Sequence, residues 1–241
     1  MNAIHPAAAV GFARSADAYE RARPDYPRAA LEPLQLSPDL VIVDLAAGTG
    51  KLTRLLAASG ATVIAVEPVA EMRAALPASV RVLEGTAERI PLHAASADLV
   101  TVAQAFHWFD GEAALAEIHR VLRPAGRLAL VWNRRVTEDP VNQAIEAILA
   151  PHRAEVPTHR WNHWPAAFES TALFGPLEEH VFPNEQHLDA DGMADRIGSI
   201  SFIASLPQAQ RDEAISAARA LADDGPVSVP YRTELQIAER R

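Results

Sequence analysis

Cysteine is absent from all 241 residues, which excludes disulfides, thiolate metal sites and cysteine nucleophiles at once and fits a reducing compartment. Met1 to Val10 lack the basic start and continuous apolar core of a secretory leader. Long apolar runs are missing too. Stretches such as Leu128 to Trp132 fall far short of the roughly 20 residues that a membrane-spanning helix needs, so no membrane association is expected and the expected location is cytoplasmic. Positive charge is scarce: 22 Lys and Arg stand against 31 Asp and Glu, a net charge of -9, which argues against nucleic acid as a partner. Arg134-Arg135 and Arg240-Arg241 are too short and scattered to form a phosphate-binding patch and read as solvated charge.

What is present is an ordinary globular composition, 49% apolar and 22% charged, in a chain long enough to bury its own core. From Leu40 onward, short apolar runs alternate with helical patterns, as in an α/β domain with a mainly parallel sheet. Strands are expected near Leu40–Leu45, Thr62–Glu67, Val80–Glu84, Ala97–Ala103 and Arg127–Trp132, all rich in residues suited to a sheet covered on both faces. Leu52, Leu55 and Leu56 share one helical face that Gly60 ends. A second helix is expected to start after the N-cap Asp110 and run through Leu115, Ile118 and Leu122 until Pro124 stops it, with Pro124-Ala-Gly126 turning into the fifth strand. Beyond Asn133, Val141, Ile145, Ile148 and Leu149 predict a helix; further helices fit Asp189–Ser205 and Pro207–Asp223, and strands fit Leu177–Pro183 and Val227–Ala238. No repeat or linker interrupts this order. The chain therefore reads as one domain over 1–241, with an N-terminal segment (1–36), a core (37–133), and helical additions with the last two strands (134–241).

The densest signal is Val43-Asp-Leu-Ala-Ala-Gly-Thr-Gly-Lys51, an apolar strand running into a small-residue loop that opens a helix. Small residues let backbone N–H groups approach a ligand closely, and a helix N-terminus favours an anionic group. Asp44 precedes the turn, and Glu67 ends the next strand at about the spacing where acids accept ribose hydroxyls. A dinucleotide fingerprint would place a third glycine where Thr53 stands, which disfavours a nicotinamide cofactor.

Together with three later motifs, this stretch resembles the class I methyltransferases, and most closely the group called methyltransferase type 11. The motifs are Asp44-Leu-Ala-Ala-Gly-Thr-Gly50, Val66-Glu-Pro68 with Met72, Gly85-Thr-Ala-Glu-Arg-Ile-Pro91 and His119-Arg-Val-Leu-Arg-Pro-Ala-Gly126. The resemblance implies a doubly wound, seven-stranded, mainly parallel sheet of Rossmann-like methyltransferase type, its last strand antiparallel, with helical additions before the sixth and seventh strands. It implies S-adenosyl-L-methionine as cofactor and S-adenosyl-L-homocysteine as product. By resemblance, Asp44, Ala46, Gly48 and Gly50 would line the methionine part, Glu67 and Pro68 the ribose, and Met72 the adenine. Thr86 and Ala87 would meet the adenine edge, and Ala103 and Gln104 would face the amino group through their backbone. Two positions depart from the family pattern, which commonly has glycine where Ala46 and Ala125 stand. Ala46 is expected to be accommodated by keeping φ negative.

On the acceptor side, Gln104-Ala-Phe-His-Trp-Phe-Asp110 follows the fourth strand, where ligands gather in open α/β sheets. His107 is the candidate general base, against the alternative of packing beside Trp108. Phe106, Trp108 and Phe109 would form an aromatic wall, part of it core. Upstream, Phe12–Tyr19 and Arg23–Pro27 resemble a lid segment of the same family, through which Tyr19 and Arg23 would reach the cofactor carboxylate. His159 and His163 stand four apart, but no third ligand is near and prolines crowd the segment, so no metal is expected. The expected activity is methyl transfer to a small molecule; the alternative is a cofactor-binding regulatory or partner-binding protein without transfer.

Overall fold

The computed structural model describes residues 22–155 and 165–241. Seven strands form one sheet in the order β3-β2-β1-β4-β5-β7-β6. They span Val41–Leu45 (β1), Thr62–Val66 (β2), Arg81–Leu83 (β3), Ala97–Ala103 (β4), Leu122–Arg135 (β5), Glu178–Leu188 (β6) and Val227–Glu239 (β7). Strands β3, β2, β1, β4 and β5 pair in parallel, with Asp44 opposite Ala65 on one side and Thr101 on the other. Strand β7 runs against β5: Val136 N–H donates to the Pro230 carbonyl, while near the other end Arg240 N–H donates to that of Gly126. The mixed seven-stranded sheet expected from the resemblance is what the chain forms.

The helices are Lys51–Ala57 (α1), Ala70–Ala74 (α2), Gly111–Val121 (α3), Pro140–Leu149 (α4), Pro165–Ser170 (α5), Ala190–Gly198 (α6), Ser201–Ala204 (α7) and Gln208–Ala220 (α8). Three of them start where an aspartate caps them. Asp110 accepts from Ala113 N–H, Asp139 from Val141 and Asn142, and Asp189 from Gly192, each cap being worth about 1 kcal/mol. Helix α3 ends at Val121, short of the expected Leu122 and Pro124, because Leu122 is already extended and pairs with Ala97 on β4. Pro124-Ala-Gly126 thus lies within β5, and the Ala97/Leu99 register shift absorbs it. Likewise β6 continues to Leu188, past the expected Pro183, and the stretch expected as one helix from Asp189 to Ser205 forms two, α6 and α7.

The chain divides into two compact units. The larger comprises Tyr26–Trp132, His159–Phe182 and Thr233–Arg241. Its core clothes both faces of the sheet: Val43, Val100, Leu115, Ile118 and Leu130 in one cluster, Ile42, Leu56, Leu99 and Leu235 in the other, all with essentially no exposure. This double covering makes the central strands apolar at successive positions, where a half-exposed strand would alternate. The smaller unit comprises Met1–Asp25, Asn133–Thr158 and Pro183–Arg232. Its own core joins Ile145 and Leu149 of α4 to Met193 and Ile197 of α6, Ala214 and Ala218 of α8, and Tyr231.

Candidate functional site

Strand β1 delivers the chain into the loop Ala46–Gly50, where three residues take left-handed backbone: Ala46 at φ 56, Gly48 at φ 57 and Gly50 at φ 91. Ala46 therefore departs from the negative φ expected for it. The turn out of β1 needs a left-handed residue there, and alanine tolerates that at a cost of roughly 1–2 kcal/mol. The same holds for Ala125, at φ 62. A Cβ on Gly48 would meet nothing within 4 Å, so open space lies over the middle of the loop, whereas one on Gly50 would sit 2.8 Å from the Leu76 side chain. The loop is thus packed at its exit and open at its centre.

Two carboxylates set the electrostatics. Asp44 is 1% exposed and accepts hydrogen bonds from Thr53 Oγ1 at 2.5 Å and Thr101 Oγ1 at 2.9 Å. Burial pushes its carboxyl up from 3.8 to about 6, despite the two hydroxyl donors, and the neighbouring Glu67 charge acts in the same direction. The buried side chain thus joins α1 to β4. Glu67 accepts Gly48 N–H on one oxygen and Val69 N–H on the other, each at 2.9 Å. Burial raises its pKa too, opposed by those two donors and Arg73. Each Glu67 oxygen has a second lone pair, so the carboxylate retains acceptor capacity for hydroxyls.

Beyond Glu67, Pro68 is half-buried and Met72 on α2 is buried. Arg73 holds the carbonyls of Glu67 at 2.9 Å and Pro68 at 2.7 Å, and reaches Glu84 at 2.9 Å. After β3, Thr86 is half-buried and Ala87 buried. Their segment is clamped from α3: Arg120 donates to the carbonyls of Leu92 at 2.8 Å and Ile90 at 3.0 Å, and Glu117 accepts Ile90 N–H at 3.0 Å. This is the physical content of the His119–Gly126 motif. Its Arg123 also makes two contacts to Asp98, whose carboxylate takes Val41 N–H at the foot of β1.

At the end of β4, Ala103 is half-buried and Gln104 adopts φ 58, with its N–H donating to the Val131 carbonyl at 2.9 Å. A left-handed glutamine there turns the chain sharply into the segment expected on the acceptor side. Phe106–Trp108 is one turn of 3-10 helix, which sends successive side chains in different directions. Phe106, one of three aromatics expected to form a wall that is partly core, is 1% exposed and packs with ring centroids 5.5 Å from Phe109 and from Phe168. It belongs to the core, while Trp108 and Phe109 are half-buried. His107 is buried, with ring centroids 4.7 Å from Trp108 and 5.6 Å from Trp132.

Of the expected lid residues, Arg23 donates from Nη2 to the Ser199 carbonyl at 2.9 Å within the smaller unit. Tyr19, the segment Phe12–Tyr19, and the His159 and His163 pair lie outside the described residues. Sequence reasoning missed Thr53 and Thr101, the two donors to Asp44, and Arg73 and Arg120, the two backbone clamps. Thr101 is found only through the register, which sets it directly opposite Asp44 in the parallel pair. Arg120 stood in the His119–Gly126 motif, three residues after Glu117 with which it pairs; Arg73 had no signal for its hold on the Glu67 and Pro68 carbonyls, which every residue carries.

A family model described as a methyltransferase domain matches residues 43–130, the stretch that builds this loop and its clamps. An uncharacterized methyltransferase of Mycobacterium tuberculosis is 37% identical over 235 residues, covering 93% of each chain. An uncharacterized methyltransferase-like protein of Schizosaccharomyces pombe is 36% identical over 204 residues, covering 81% of this chain and 79% of its own. A solved structure from Anaeromyxobacter dehalogenans, assigned as a type II methyltransferase, aligns with a TM-score of 0.66 and 26% identity over 90% of this chain and 96% of its own.

Proposed function

Because this chain belongs to the class I S-adenosylmethionine-dependent methyltransferases, we propose that it transfers a methyl group from S-adenosylmethionine to a small-molecule acceptor. The observation that carries this reading is the loop itself, open over Gly48 and tied at that same residue to the Glu67 carboxylate. The donor set fits the cofactor: Glu67 for the ribose hydroxyls with Pro68 beside it, the Ala46–Gly50 backbone and Gln104 for the methionine part, and Met72, Thr86 and Ala87 for the adenine. Asp44 acts through the loop, holding α1 and β4 in register beneath it.

When bound, the cofactor supplies a methyl carbon activated by positive sulfur. The chain's own contribution is alignment of the acceptor and exclusion of water, which falls to Trp108 and Phe109. His107, buried between two tryptophans, is the group that would hold an acceptor proton. We read the chain as a single methyltransferase domain acting in the cytoplasm. The test is transfer of radiolabelled methyl across a metabolite panel. Label in a small product supports the assignment. Tight cofactor binding with no transfer to any panel member would instead mark a binding protein, and a melting shift with NAD(H) in place of S-adenosylmethionine would overturn the cofactor.

A further inference from the structure

Within the smaller unit, three arginines from separate elements come together in a protein whose net charge is -9. Arg196 on α6 is 8% exposed. Its Nε donates to the Tyr231 hydroxyl at 3.0 Å, and its Nη1 is buried with no hydrogen-bond partner among the described residues. Arg135, at the end of β5, has a side chain only 19% exposed, so it is not the solvated charge its doublet suggests. The next residue, Val136, donates to the carbonyl of Pro230 at 3.2 Å, which brings Arg135 up to the Tyr231 that Arg196 bonds; burial and then the Arg196 guanidinium hold the pKa of Arg135 below its usual value. Arg153 joins the group from the 3-10 turn after α4.

Among the described residues, Glu146 is the one acid that bridges any of the three. It takes Arg135 at 3.2 Å and Arg153 at 2.6 Å. Two guanidinium groups therefore share one carboxylate, and Arg196 has no acid paired with it among the described residues. A buried guanidinium with an unused donor is strongly unfavourable unless an anion completes it, and its planar fork matches carboxylate and phosphate oxygens in bidentate fashion.

We propose that Arg196, Arg135 and Arg153, with the Tyr231 hydroxyl, form a binding site for a carboxylate or phosphate group of a small molecule. Its occupant is either the methyl acceptor or a separate effector. Binding itself does not depend on methyl transfer, so this site stands or falls apart from the reading above.

The probes are inorganic phosphate and citrate, added to the full chain at constant ionic strength against chloride. Either probe raises the melting temperature saturably, and the shift is lost in Arg196→Met and in Arg135→Met; the second, at a partly exposed position, carries the test if the first fails to fold. No saturable shift with either probe, or an unchanged shift in folded Arg135→Met, overturns the site. Once an acceptor is known, phosphate inhibition competitive with it, lost in Arg135→Met, assigns the site to the acceptor. A phosphate effect on turnover that leaves the acceptor KM unchanged assigns it to an effector.

Discussion

Glu67 and Gly48 are joined by a hydrogen bond of 2.9 Å from the Gly48 N–H to the Glu67 carboxylate. The bond fixes the end of β2 to the centre of the loop that follows β1, so one buried side chain shapes the loop. Its second oxygen is held by Val69 N–H, which orients the carboxylate from the other side.

Replacing Glu67 with alanine leaves two backbone donors without their acceptor and removes the group proposed for the ribose hydroxyls. Hydrogen bonds to a charged group are worth about 1.5–3 kcal/mol, so affinity for S-adenosylmethionine is expected to fall by about 10- to 100-fold. Calorimetric titration measures it. Wild-type affinity in a folded Glu67→Ala protein would show that the ribose is held elsewhere.

Asp44 gives a pH dependence with a definite sign. Its folded pKa of about 6 lies above the 3.8 of the unfolded chain, so the folded state holds the proton more tightly. Stability linked to this group is fully present below about pH 3.8, declines through the window up to about pH 6, and stays lower above it. A shift of this size corresponds to about 3 kcal/mol. Asp44→Asn does not titrate. Urea unfolding at pH 4 and pH 7 should therefore show wild type losing stability relative to the variant as pH rises, with Glu67 common to both. Parallel profiles would contradict a buried, perturbed Asp44.

Ala46 and Ala125 occupy left-handed backbone that glycine adopts freely. Relief of roughly 1–2 kcal/mol of strain outweighs the extra flexibility of glycine in the unfolded chain, about 0.4–1 kcal/mol. Ala46→Gly and Ala125→Gly are each expected to stabilise by about 0.5–1 kcal/mol. Chemical denaturation of the single and double variants checks this, and the two increments should add because the sites are independent.

Gly50 behaves oppositely. A Cβ there would approach the Leu76 side chain to 2.8 Å, on a backbone at φ 91. Overpacking and strain together predict a loss of about 2–4 kcal/mol for Gly50→Ala, while Gly48→Ala, with open space around its Cβ, costs only the backbone term. Adding S-adenosylmethionine separates the two further: Gly48→Ala projects into the proposed cofactor space and should lose affinity out of proportion to its loss of stability.

The succession of strands and crossover helices is written locally along the chain, because runs of Val, Leu and Ile, aspartate caps and glycine breaks are local signals. Strand β4 falls at Ala97–Ala103 and α3 begins after Asp110, as those signals indicate. The sequence also marked the loop from Asp44 to Gly50 and the acid at Glu67, since small residues and a carboxylate at that spacing reflect the chemistry of a nucleoside. Other features depend on partners distant in the chain and emerge only on folding. Helix α3 stops one residue early because Leu122 finds Ala97, Phe106 is core because Phe109 and Phe168 surround it, and Ala46 is left-handed because β1 must turn into α1. Arg135 changed most in meaning. As one half of a basic doublet it reads as solvated charge; with Arg196 and Glu146 near it, it becomes part of a partly buried arginine cluster, and no local pattern encodes that proximity.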